Sequence, residues 1–141
     1  MWLIVIAGII FSVLLLPSQR IIPENMFTPF LFLLMLLYWI YAFISAAKIH
    51  KQAPVSTAAI KKLVTTGIYS KVRHPIYSAD ILLSWGIFLF LPTKRVLASV
   101  IWLTLILSIW IFLEEKSLTK KFGSEYLNYK KKVPRVIPKV H

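Results

Sequence analysis

IYSADILLSWGIFLFLPTKRVLASVIWLTLILSIWIFL, residues 76–113, holds two apolar runs, 76–91 and 96–113, separated only by Pro92, Thr93, Lys94 and Arg95. So short a link makes the runs an antiparallel pair. Working outward, two further apolar runs lie upstream, a short one at residues 2–16 and a longer one at 26–47. Hydrophobic residues make up 58% of the 141-residue chain, and the mean hydropathy is +0.74. A soluble domain of this size cannot hide that much apolar surface. The surrounding medium is therefore lipid, where every backbone group needs an internal partner and spans are helices. The sequence predicts an all-α integral membrane protein of about four transmembrane helices, in one domain covering residues 1–141. Its parts are two generic spans (1–47), a connector (48–75), the hairpin (76–113) and a tail (114–141).

The first run lacks a basic leader, since its first charge is Arg20, and no small-x-small cleavage site precedes Pro17. It reads as a retained span, not a signal peptide. Basic residues set the expected orientation. The connector carries six and the tail eight, while Arg20, Lys94 and Arg95 are left for the opposite side. Fourteen against three places the connector, the tail and both termini in the cytoplasm. The formal charge of +12 belongs to lysines flanking apolar spans, which points to an anionic membrane surface and away from nucleic acid. There is no cysteine, so disulfides, thiolate metal sites and a cysteine nucleophile are excluded. His50, His74 and His141 show no ligand spacing, and no metal is expected.

The tail has a helical stripe. Leu118, Phe122, Tyr126, Tyr129 and Val133 recur at spacings of four, four, three and four, with lysines on the other face. An amphipathic helix over residues 117–132 follows, bent at Gly123 and ended by Pro134, with Pro138 keeping the remainder extended. It serves either as a membrane-surface helix or as a lid over a ligand.

Polar residues at the ends of the hairpin carry the candidate chemistry. Pro75 suits the first turn of a helix, so Arg73 and His74 precede that turn beside unpaired backbone donors that favour an anionic group. Tyr69 and Tyr77 can stack on an aromatic ligand. The same residues also suit an interfacial anchor. Glu114 and Glu115 leave the second run against the basic trend of that side. They serve by pairing with Arg73, by binding a cationic ligand or ribose hydroxyls, or by bridging to nearby lysines. Adjacent helical residues point about 100° apart, so only one is expected to face a site. Asp80 lies about one turn inside the third run, where an acid is costly. It is either functional or paired with Arg73 or His74.

Two motifs, Gly67-x-Tyr69-x-x-Val72-Arg73-His74-Pro75-x-Tyr77 and Glu114-Glu115-x-x-Leu118-x-x-x-Phe122-Gly123-x-x-Tyr126-x-x-Tyr129-x-x-x-Val133-Pro134-Arg135-x-x-Pro138, flank the hairpin. In this order the pattern resembles the isoprenylcysteine carboxyl methyltransferase family, to which phospholipid N-methyltransferases are related. The resemblance covers roughly residues 65–138. It implies S-adenosylmethionine as cofactor and a membrane-embedded, lipid-like or lipidated acceptor. It also implies a cofactor pocket built from Tyr69, Val72, Arg73, His74, Tyr77, Glu114, Glu115 and Arg135, with Arg73 and Glu115 as the catalytic pair. Many family members carry an arginine about one turn before the glutamates, where this chain has Trp110 and Ile111. That departure weighs against carboxylate methylation more than against cofactor binding. Steroid-reductase-like NADPH enzymes share the tail pattern, but their Arg-His-Pro-Asn-Tyr motif and following Gly-Glu pair are here Ile76 and Ala79-Asp80. A non-enzymatic membrane interaction protein is the third reading.

Overall fold

Each apolar run folds as a helix. The computed structural model describes residues 1–23, 25–49 and 62–137. Over these, α1 (Trp2–Leu15), α2 (Phe27–Ile49), a 3-10 turn (Gly67–Ser70), α3 (Pro75–Phe90), α4 (Lys94–Phe122) and α5 (Ser124–Lys132) follow in order. Pro75 opens α3, and the side chain of Thr93 caps α4 by accepting from the Val96 N–H at 3.3 Å, satisfying one orphan donor of the first turn.

The helices alternate in direction. At one end the α1–α2 connection meets the α3–α4 link: the Ile21 N–H donates to the Pro92 carbonyl at 2.7 Å and the Lys94 N–H to the Gln19 carbonyl at 3.1 Å. At the other end Trp2, Ala46, Pro75 and Glu114, one from each helix, line a single cavity. α1 packs on α4 and α2 on α3. Gly8 allows the first contact, since a Cβ there would come within 2.0 Å of the Trp102 indole, whose Nε1–H donates to the Ile4 carbonyl at 3.1 Å. Ala42, Ala46 and Ala79 sit in the core between α2 and α3 with Ile68 and Val72. Small residues of this kind let helix backbones approach closely in lipid.

The outer surface is apolar. Leu3, Phe11 and Leu14 on α1, Phe27 and Phe30 on α2, and Leu105 and Phe112 on α4 are exposed. α2 and α4 are long and apolar enough to cross a membrane, yet only 11% and 17% of their apolar windows are buried within the protein. Surfaces of this kind need lipid around them, and the chain is an integral membrane protein. At about 1.5 Å per residue, the 23 residues of α2 reach about 34 Å. By the same rise the 14 of α1 and the 16 of α3 reach only about 21 and 24 Å.

The tail begins inside α4, which runs unbroken past the apolar run and through Glu114 and Glu115 to Phe122. The expected single helix over residues 117–132 is thus the end of α4, a break at Gly123 with φ of 52°, and the short helix α5. Continuation past the lysines follows from the stripe itself: Leu118, Tyr126, Tyr129 and Val133 bury together with Leu63. Pro138, and residues 50–61 of the connector, lie outside the described residues.

Candidate functional site

The site forms where the start of α3, the far end of α4 and the tail converge. The tail runs along the beginning of α3. The Arg73 N–H donates to the Pro134 carbonyl at 2.9 Å and the His74 N–H to the Arg135 carbonyl at 3.2 Å, and the Ser78 hydroxyl donates to the Val136 carbonyl. These tail carbonyls occupy backbone donors that the sequence alone offers to an anionic ligand. Farther back, the Tyr129 hydroxyl donates to the Tyr69 carbonyl at 2.6 Å.

Glu115 is the hub of this convergence. Its Oε1 lies 3.1 Å from Arg73 Nη2 and 3.4 Å from His74 Nε2. Its Oε2 lies 2.9 Å from Arg135 Nη2 and 3.3 Å from Lys130 Nζ. The carboxylate stands just beyond the apolar run of α4 and is 3% exposed. Burial pushes this carboxyl up, but His74, Arg135 and Arg73 outweigh burial and hold it below the ordinary carboxylate range. One carboxylate thus ties α3, α4 and the tail together.

Glu114 points elsewhere. It lines a cavity of about 560 Å³ together with Tyr69, Arg73, His74 and Tyr77, a size within the range of about 300–1,000 Å³ common to small-molecule sites. Glu115 is not among the lining residues. Five lining side chains hold unused hydrogen-bonding capacity. Arg73 Nε and Nη1, His74 Nε2, Glu114 Oε2 and the Tyr126 hydroxyl are buried without a hydrogen-bond partner among the described residues, and so is Asp80 Oδ2. Buried polar atoms left unpaired are costly, and their grouping around one cavity fits a polar ligand. The His74 and Tyr77 rings stack at 5.9 Å. Burial and then the charge of Glu114 push the Tyr69 phenol up to about 12, so it remains a neutral donor at physiological pH.

Of the residues singled out from sequence, Tyr69, Arg73, His74, Tyr77 and Glu114 line the cavity, and Glu115 and Arg135 form the clamp behind it. Val72 does neither: it is fully buried in the α2–α3 core. Asp80 also lines the cavity, but its partner is neither Arg73 nor His74. The Trp39 Nε1–H donates to Asp80 Oδ1 at 2.7 Å. Trp39 on α2 went unnoticed in the sequence, where a tryptophan within an apolar run carries no signal of its partner. Tyr126 and Tyr129 were visible only as members of the tail stripe, and both reach the cavity wall.

Comparison with known proteins identifies the family. The family model for phospholipid methyltransferase matches residues 26–125. A methanethiol S-methyltransferase of Crocosphaera subtropica is 38% identical over 55% of this chain and 29% of its own length. A protein-S-isoprenylcysteine O-methyltransferase of Homo sapiens is 39% identical over 54% of this chain and 27% of its own. The Arabidopsis thaliana protein-S-isoprenylcysteine O-methyltransferase B is 33% identical over 57% and 41%. The chain therefore spans well under half the length of these curated relatives. No solved structure matches it significantly. With the match extending from the start of α2 into α5, across the whole hairpin and both glutamates, the chain belongs to the phospholipid methyltransferase family.

Proposed function

We propose that this protein is a multi-pass membrane methyltransferase that takes its methyl group from S-adenosylmethionine and delivers it to a membrane-embedded or lipid-like acceptor. The observation that carries the reading is the pair of unpartnered groups of opposite sign, Arg73 Nε and Nη1 and Glu114 Oε2, on side chains lining one cavity. S-adenosylmethionine needs both signs, because it carries a carboxylate, a cationic sulfonium and a ribose diol. Arg73 would hold the carboxylate and Glu114 the diol or the ammonium, while Tyr69 and Tyr77 offer rings to the adenine. When bound, the cofactor supplies an electrophilic methyl group. The chain's own residues supply alignment and electrostatics, with no covalent intermediate on the protein. Glu115 acts through Arg73 and His74 as a positioning residue, and Arg135 holds the tail on Glu115.

The membrane arrangement belongs to the same reading: four crossings, with the cavity and both termini on the cytoplasmic side. The alternating helices and the fourteen-to-three distribution of basic residues support it. The donor then arrives from the cytosol and the acceptor laterally from lipid. Incubating membranes that contain the protein with methyl-tritiated donor tests the function. Label is expected in a lipid or lipidated-protein fraction, and no transfer above protein-free membranes would overturn the proposal.

A further inference from the structure

Tyr126 and Tyr129 stand one turn apart in the tail stripe, and both bury with Leu63, Leu118 and Val133. Their hydroxyls are used differently. The Tyr129 hydroxyl donates to the Tyr69 carbonyl at 2.6 Å. The Tyr126 hydroxyl is buried without a partner among the described residues, on a residue that is 1% exposed and lines the cavity. A phenylalanine would fill the same apolar site without burying an idle hydroxyl, which is costly. Burial and then the charge of Glu115 push this phenol up, so it is a neutral hydrogen-bond donor at physiological pH. Few groups in the cavity are open to an anion. The backbone N–H groups of Arg73 and His74 are taken by the Pro134 and Arg135 carbonyls. Arg73 Nε and Nη1, His74 Nε2 and the Tyr126 hydroxyl are the lining side-chain donors buried without a partner among the described residues. His74 Nε2 faces Glu115 Oε1 at 3.4 Å, which leaves Arg73 and Tyr126 to hold an anion together.

We propose that the Tyr126 hydroxyl is a further binding group for the methyl donor, joining Arg73 in holding the carboxylate of S-adenosylmethionine. The inference rests on the methyltransferase reading and deepens it. A guanidinium and a hydroxyl both make charge-assisted hydrogen bonds to a carboxylate. Arg73 comes from the start of α3 and Tyr126 from α5, so a carboxylate held by both bonds the tail to α3 in addition to the contacts of Pro134 and Arg135. The two tyrosines thus divide one stripe between two tasks. Tyr129 fastens the tail to the protein, and Tyr126 fastens it to the ligand.

Tyr126→Phe in the full-length protein in detergent removes only the hydroxyl. S-adenosylmethionine and its decarboxylated form differ only in the carboxylate, and calorimetric titration, by displacement where binding is weak, reads both affinities. The wild type is expected to prefer the intact ligand. Tyr126→Phe should weaken binding of S-adenosylmethionine about ten- to a hundredfold, the range for a hydrogen bond to a charged group, and leave the decarboxylated ligand unaffected. Without ligand, its unfolding temperature should match or exceed that of the wild type, because no bond is lost. Tyr129→Phe is the contrast: it should unfold at a lower temperature and leave the ratio of the two affinities unchanged. The inference is overturned if Tyr126→Phe binds S-adenosylmethionine like the wild type, or is the less stable protein without ligand. It is also overturned if Tyr126→Phe loses affinity for both ligands alike, which would place the hydroxyl elsewhere on the methyl donor, or if the wild type binds the two equally. A wild type that binds neither ligand would sink the methyltransferase reading itself.

Discussion

Replacing each of the adjacent glutamates with glutamine should produce two different defects. Glu115 is 3% exposed and meets Arg73, His74, Lys130 and Arg135. Arg73 is itself 6% exposed, and its Nε and Nη1 already lack partners among the described residues. Glu115→Gln therefore strands a buried guanidinium, a change that costs about 3–5 kcal/mol when one member of a buried pair is removed. The half-exposed partners Lys130 and Arg135 turn to water and add little, which favours the lower end of that range. Glu114 has no such clamp: the Tyr77 hydroxyl donates to it and His74 is near, and its Oε2 has no partner among the described residues. Glu114→Gln keeps an oxygen for Tyr77 and should leave stability within about 1 kcal/mol of wild type, as expected where no buried ion pair is broken. It should instead weaken donor binding by about 1.5–3 kcal/mol, the worth of a hydrogen bond to a charged group, or roughly ten- to a hundredfold. Thermal unfolding in detergent reads the first quantity and binding of tritiated S-adenosylmethionine reads the second. If Glu114→Gln is the unstable variant, or binds donor like the wild type, the assignment of roles along α4 is wrong.

Three further outcomes follow from the same geometry. Removing residues 134–141 takes away the carbonyls that accept from Arg73 and His74 and the Arg135–Glu115 pair; donor binding should fall below detection while the protein still fractionates with membranes, and undiminished binding would reduce the tail to a surface helix. Tyr129→Phe loses the 2.6 Å bond to the Tyr69 carbonyl and should cost about 1 kcal/mol in the unfolding transition, with no change meaning that the hydroxyl does not tie the tail down. Reporter fusions at Ser18 and at the C-terminus should lie on opposite sides of the membrane, and same-side signals would refute the four-crossing topology.

The hairpin was readable because a link of Pro92 to Arg95 leaves two apolar runs one arrangement, and the pairing of Arg73 with a glutamate because topology brings those helix ends together. Which glutamate does the pairing was not readable. It depends on how α4 is rolled against its neighbours, including the close contact of Trp102 with Gly8, which spacing along the chain does not show. The apolar run ends at Leu113, but α4 continues to Phe122, sustained past Lys116, Lys120 and Lys121 by apolar burial on its other face. The tail's grip on α3 uses backbone carbonyls of Pro134 and Arg135, which carry no side-chain signature. The Trp39–Asp80 bond joins residues 41 positions apart, on helices whose relative register only packing decides.

If the cavity beside Glu114 and Arg73 holds S-adenosylmethionine, calorimetric titration of the purified wild-type protein with S-adenosylhomocysteine should show saturable binding at one site per chain, and a parallel titration with NADPH should give no heat. Saturation by NADPH, or no binding of S-adenosylhomocysteine, would show that the cavity does not hold this donor.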